Sequence, residues 1–139
     1  MKSRETLIRL KKFQVDEKRR RVTQIENMIA DFQRMSVDLE REILSEQERA
    51  GINDPSHFAY PTYAKAAIQR RENLTRSADE LRIQLEDARA LLADAYEELK
   101  KVELLDERDQ ARERAEESAR EQADLDSIGL MRARLGVIV

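Results

Sequence analysis

Apolar residues recur along this chain with a seven-residue period, in two separate stripes. In the first, Val15, Val22, Ile29, Ser36, Ile43 and Ala50 stand seven apart, and Ile25, Phe32 and Leu39 fall three residues after three of them. The second runs through Ala67, Leu74, Ala78, Leu81, Leu85, Ala88, Leu92, Ala95, Leu99 and Val102, in alternating steps of four and three from Leu74 onward. Apolar positions in that rhythm form one narrow face of an α-helix, the seam of a coiled coil. Two such seams separated by the cluster of Gly and Pro predict an all-α fold: a long antiparallel two-helix coiled-coil hairpin. A strict heptad period also predicts a left-handed supercoil.

The boundaries follow from local chemistry. Ser3 is an N-cap residue, and Gly51 directly after Ala50 is a natural stop, so helix one is expected over 3–50. The connector is Gly51-Ile-Asn-Asp-Pro-Ser-His-Phe-Ala-Tyr-Pro61. Asp54-Pro55 reads as an N-cap followed by Pro at the first helical position, which predicts one short helical turn, and Pro61 is a second candidate to open a helix. Helix two is expected over 62–126. Together 1–126 make a single hairpin domain, and 127–139 a flexible apolar tail containing Gly129 and Gly136. Exposed faces carry acid-to-base pairs four residues apart, as in Glu5 and Arg9 or Glu17 and Arg21.

Two antiparallel registers fit the hinge. When paired residue numbers sum to about 117, Val22 meets Ala95, Ile25 meets Leu92, Ile29 meets Ala88 and Ile43 meets Leu74, with Glu46 opposite Arg71 and Lys11 opposite Asp106. When they sum to about 110, Leu39 lies against Arg71 and Lys11 against Leu99. Large-against-small packing and opposed seam charges favour the first. Residues 1–21 are rich in bases and 96–116 in acids, which favours a hairpin over a parallel dimer. An intermolecular antiparallel dimer has the same pattern.

Composition narrows the function. Of 139 residues, 40% are charged and 4% aromatic, with no Trp, which suits helix-on-helix packing and cannot build a thick core. A net charge of −3 gives no global field that points to nucleic acid. The absence of Cys removes disulfides and thiolate chemistry and fits a reducing cytoplasm. No signal peptide is evident, and no apolar run approaches the roughly 20 residues of a membrane span, so no direct membrane insertion is expected.

Catalytic machinery is not expected. The glycines, at 51, 129 and 136, cannot form a phosphate-cradling loop. One His and no Cys cannot make a zinc site, and no other cofactor is implied. A Ser-His-acid triad would have to use His57 in a hairpin tip, where no cavity excludes water. His57 reads as a turn-bonding residue, or alternatively as a pH sensor or a ligand.

Four regions are candidates for partner contact. Ile52, Phe58, Tyr60 and Tyr63 gather apolar and aromatic surface at the hinge, either to anchor a partner or to cap the open seam. Lys11 and Lys12 with Lys18-Arg-Arg-Arg21 form a basic cluster, either a solvated face paired with acids of helix two or a contact for an acidic surface. No aromatic stacking platform interleaves with it, so no nucleic-acid partner is expected. Leu7, Leu10 and Phe13 form an off-seam stripe. Ile128, Leu130, Met131, Leu135, Val137, Ile138 and Val139 make an apolar end, either a loose tail or a surface that docks into a protein socket.

The opening Leu7-Ile-Arg-Leu-Lys-Lys-Phe-Gln-Val-Asp-Glu-Lys-Arg-Arg-Arg21, the paired stripes and the connector Ala50-Gly-Ile-Asn-Asp-Pro-Ser-His-Phe-Ala-Tyr-Pro-Thr-Tyr63 resemble the flagellar export protein FliJ family, in its alphaproteobacterial flavour. The resemblance spans about residues 1–126, with the connector its most distinctive stretch. It implies a cytoplasmic coiled-coil stalk or adaptor of the flagellar type III protein export apparatus, similar to the central stalk of rotary ATP synthases and peripheral at the flagellar base on the inner face of the membrane. Its implied partners are the flagellar export ATPase, the export gate membrane protein and export chaperones. By position, Lys11, Lys12, Arg19, Arg20 and Arg21 would contact the ATPase ring, and Ile52, Phe58, Tyr60 and Tyr63 the gate.

Other classes share the shape. A coiled-coil finger that inserts into another machine, such as a transcript-cleavage factor, needs paired acids at its tip, and this tip offers only Asp54. A generic scaffold or injectisome stalk has the same pattern, and sequence separates it poorly from a flagellar role.

Overall fold

The computed structural model describes residues Lys2–Gly136. They form two helices, α1 (Lys2–Ala50) and α2 (Thr62–Arg134), which pack on one another as an all-α helical hairpin. No strand occurs among the described residues.

Local chemistry accounts for the helix ends. Gly51 has φ +70°, a left-handed conformation that side chains disfavour, and its N–H donates to the Gln47 carbonyl at 2.8 Å, closing α1. The connector then makes consecutive turns. The Asp54 carboxylate accepts from the backbone N–H and hydroxyl of Ser56, while the His57 N–H donates to the Asp54 carbonyl and the Tyr60 N–H to the His57 carbonyl, each at 3.0 Å. These are turns rather than the expected short helical turn, because the Asp54 side chain bonds back onto its own loop. The Pro61 carbonyl accepts the first helical bond of α2, from Lys65, so Pro61 is the N-cap itself and not the first helical residue.

Helix α2 continues through Arg134 instead of ending at Asp126. The expected tail is therefore helical as far as Arg134; Ser127-Ile-Gly-Leu-Met-Arg-Ala holds only one helix-weakening residue, Gly129, too few to break a helix already nucleated. The break comes at Gly136, with φ +71°. Val137, Ile138 and Val139 lie outside the described residues.

The contacts divide the chain into two units. One comprises Lys12–Tyr96. Its core is a cluster of Val22, Ile25 and Ile29 with Leu81, Leu85 and Ala88, flanked by Phe32 and Leu92, and a second of Leu39, Ile43 and Ala67, flanked by Ile68 and Leu74. Ser36 occupies the seam between them, where a polar residue interrupts the apolar stripe. Ile25, 1% exposed, is the most deeply buried large side chain. The other unit joins residues up to Lys11 with those from Glu97 onward. Here the seam is largely ionic: Leu99 is buried, but Arg4 reaches Asp106, Asp109 and Glu113 at 3.5, 3.1 and 2.8 Å, and Lys11 reaches Glu98 at 2.8 Å.

The register is the one that sums to about 110, not the expected 117. Val22, Ile25 and Ile29 cluster with Leu81, Leu85 and Ala88, as that register requires, and Ile43 clusters with Ala67. Glu46 does not pair with Arg71, nor Lys11 with Asp106; Arg71 bonds Glu40 and Lys11 bonds Glu98. A heptad seam maps onto itself after a slide of seven, so apolar periodicity fits both registers. Two effects decide between them. Long cations leave the seam sideways, their stems covering apolar neighbours, so Leu39 level with Arg71 costs little. The ends of α1 and α2 also face each other across the connector, whereas the other register would make the start of α2 overshoot the end of α1 by more than one turn.

Same-helix ion pairs form three residues apart rather than the expected four: Asp16 with Arg19, Asp31 with Arg34, Glu46 with Arg49, Asp79 with Arg82 and Asp109 with Arg112. The acid in most of these is Asp, whose short side chain reaches the nearer turn.

Candidate interaction surfaces

The hinge end belongs to the unit Lys12–Tyr96, and its four candidate residues differ in what they offer. Phe58 is 96% exposed and stacks on His57 with ring centroids 4.7 Å apart. His57 uses Nδ1 to accept the Ala59 N–H at 3.0 Å, which orients its ring under Phe58 and is the turn-bonding role expected of it. Tyr60 is buried, and its hydroxyl accepts from Gln47 Nε2 at 2.9 Å. Ile52 is half-buried. Tyr63 is half-exposed and donates its hydroxyl to Glu42 across the hairpin at 2.7 Å. That hydrogen bond, reinforced by the Glu42 charge, raises the phenol above its ordinary range. The connector thus turns Tyr60 inward and Phe58 outward.

Beside Tyr63 runs an open groove of about 490 Å³. Met35, Leu39 and Leu74 give it an apolar floor, and Asp38, Glu42 and Arg70 a charged rim. Met35 is exposed there. Sequence reading missed this groove; the signal was Met35 and Tyr63, two large residues just off the seams on facing helices.

The basic cluster is presented unevenly. Lys12, Arg19, Arg20 and Arg21 are exposed, whereas Lys11 is partly covered and held by Glu98. Lys11 lowers the Glu98 carboxyl below its ordinary value, first by the hydrogen bond and then by its charge. Arg19 contacts Asp16 at 3.5 Å, a loose pair that leaves the guanidinium available. Arg19, Arg20, Asp16 and Thr23 line a shallow depression.

The Arg4 cluster was not anticipated. Its side chain is 17% exposed and faces three carboxylates, so it fastens the start of α1 onto α2. The signal was legible: α2's seam positions turn from apolar to acidic after Val102, and a seam of acids needs a cation opposite. Among the described residues, no group of His, Cys, Asp and Glu could hold a metal ion, and no helix is long and apolar enough to cross a membrane.

The fold and its surfaces define a helical hairpin that offers faces for contact: an exposed aromatic, a groove and a basic patch. The chain belongs to the flagellar FliJ protein family, whose model matches residues 1–136. The match runs past Asp126, the limit of the resemblance read from the sequence, and includes the described end of α2. Membership makes the protein a component of the flagellar protein export apparatus. Searches of curated proteins and of solved structures give no significant match.

Proposed function

We propose that this hairpin is a stalk-like adaptor on the cytoplasmic side of the flagellar base, linking the export ATPase ring to the membrane export gate and assisting delivery of chaperone-bound substrates. It acts by contact and has no chemistry of its own. The observation that carries the reading is the placement, within one unit, of two unlike surfaces: exposed Arg19, Arg20 and Arg21 on α1, and exposed Phe58 at the hinge. A basic patch suits an acidic ring surface, and an exposed aromatic suits a hydrophobic pocket. In this reading Lys12, Arg19, Arg20 and Arg21 contact the ring, with Lys11 positioning α1 through Glu98. Phe58 anchors the gate, Ile52 and Tyr63 flank it, and Tyr60 holds the connector in shape.

The test is the hydrolysis rate and oligomeric mass of the export ATPase from the same organism, with and without this protein. Stimulated hydrolysis together with hexamer formation supports the stalk reading. Arg19→Glu, Arg20→Glu and Arg21→Glu combined should then abolish stimulation while leaving helicity intact; undiminished stimulation by the triple variant rejects the ring assignment. Phe58→Ala should abolish gate binding, and retained binding rejects the gate assignment.

A further inference from the structure

Helix α2 outruns its partner. Among the described side chains of α1, Arg4 reaches furthest along α2, to Glu113, and every described residue from 110 to 136 is exposed. That stretch nevertheless carries Leu125, Ile128, Leu130, Met131 and Leu135. It also carries Gly129 in mid-helix. Gly129 has no positive φ, and a Cβ built on it would meet nothing within 4 Å. A glycine in a helix interior costs stability relative to Ala, and nothing among the described residues calls for it here.

Charge supplies the second observation. Residues 121–126 hold Glu121, Asp124 and Asp126 and no base, while 127–134 hold Arg132 and Arg134 and no acid. Within the described residues no ion pair engages any of these five, and Asp126 accepts only a hydrogen bond from Gln122 at 3.1 Å. Gly129 lies midway between Asp126 and Arg132 and between Asp124 and Arg134. An antiparallel helix crossing centred there sets Asp124 and Asp126 level with Arg134 and Arg132 of the other copy, twice over by symmetry. The same crossing puts Asp126 level with Arg132 of the second copy and Leu125 level with its Ala133. The centre falls on Gly129 against Gly129, where the missing side chain lets backbones approach closely. A parallel pairing would set acid on acid.

We infer that the free end of α2 is a self-association surface, and that its occupant is the same segment of a second copy of this chain, crossing antiparallel at Gly129. The occupied area is that of one short helix crossing, so association is weak, in the micromolar range or above. Because this end of α2 is covered in the pair, self-association competes with any other partner for it.

Sedimentation equilibrium of the purified full chain at low salt tests the inference without any export component. The apparent mass should rise with concentration from 16.3 kDa toward twice that value. Gly129→Leu should raise helical content, since Leu is the better helix former, yet weaken association at least about tenfold. An acidic variant (Arg132→Glu with Arg134→Glu) and a basic one (Glu121→Arg, Asp124→Arg and Asp126→Arg) should each stay monomeric alone and associate when mixed. A mass of 16.3 kDa for the parent chain at every concentration overturns the inference. So does Gly129→Leu associating as well as the parent chain, or a mixture of the two charge variants that remains monomeric.

Discussion

Arg71 of α2 bonds Glu40 of α1, the neighbour of Leu39, and that crossing marks which of two heptad registers the hairpin adopts. The alternative register would carry Arg71 to Glu46, nearly two turns further along α1. Because the chain has no cysteine, the choice can be read by engineered disulfides. Ile43→Cys with Ala67→Cys should oxidise readily, since these residues share a core cluster. Ile43→Cys with Leu74→Cys, the pair of the rejected register, should not, as it would need Cα atoms within about 7 Å. Fast oxidation of the second pair in place of the first would reverse the assignment.

Ile25 is the centre of the larger core cluster. Replacing it with Ala removes buried methylene groups and leaves a cavity between α1 and α2, at a cost of about 3 kcal/mol. Little else compensates, because a two-helix seam buries only one narrow stripe of each helix. Ile25→Ala should lower the urea midpoint sharply, whereas Met28→Ala, on the exposed side, should change stability by less than about 0.5 kcal/mol. Equal effects from the two would contradict the packing.

Stability should fall at both ends of the pH scale, for different reasons. Lys11 depresses the Glu98 carboxyl below 4.5, and the Ser56 hydroxyl and N–H depress Asp54 below 3.8. A depressed acid contributes stability above its unfolded pKa and loses it as pH falls through the folded value. Tyr63 behaves oppositely: bonding to Glu42 raises its phenol above 10.0, so its contribution is present below pH 10 and lost as pH rises through the folded value. Thermal melts from pH 3 to 11 should show both limbs. Glu98→Gln should flatten part of the acid limb, and Tyr63→Phe part of the alkaline one. An alkaline limb undiminished in Tyr63→Phe would show that the phenol does not cause it.

The helices were legible because a heptad stripe, a Gly stop and an X-Pro start are local signals, and α1 ends at Ala50 as they indicate. The register was not legible, because a seam repeating every seven residues is nearly degenerate under a slide of seven. Side-chain length and the connector lift that degeneracy, and both act in three dimensions. The end of α2 was misread for a related reason: Gly129 weighs against helix locally, but one weak residue does not stop a helix nucleated dozens of residues earlier. At the hinge, composition named Phe58 and Tyr60 together. Only the turn geometry, set by Asp54 and His57, separates the outward ring from the inward one.

Ser36 gives the last prediction. It holds a seam position that elsewhere on α1 carries Val, Ile or Ala, and it stands where the two core clusters part. An opening of about 370 Å³ lies beside it, lined by Phe32, Ser36, Thr75 and Ala78. Among the described residues no hydrogen bond engages the Ser36 hydroxyl, so no polar partner is orphaned by removing it. Ser36→Ile should join the clusters into one continuous seam and stabilise the hairpin by about 1 kcal/mol, with a higher melting temperature and an unchanged oligomeric mass. If the polar position is there to let the seam flex during export, the stabilised variant should also stimulate the ATPase less. A stabilised chain with full stimulation would separate stability from function at this site, and a destabilised one would show that the opening is too shallow to take the added side chain.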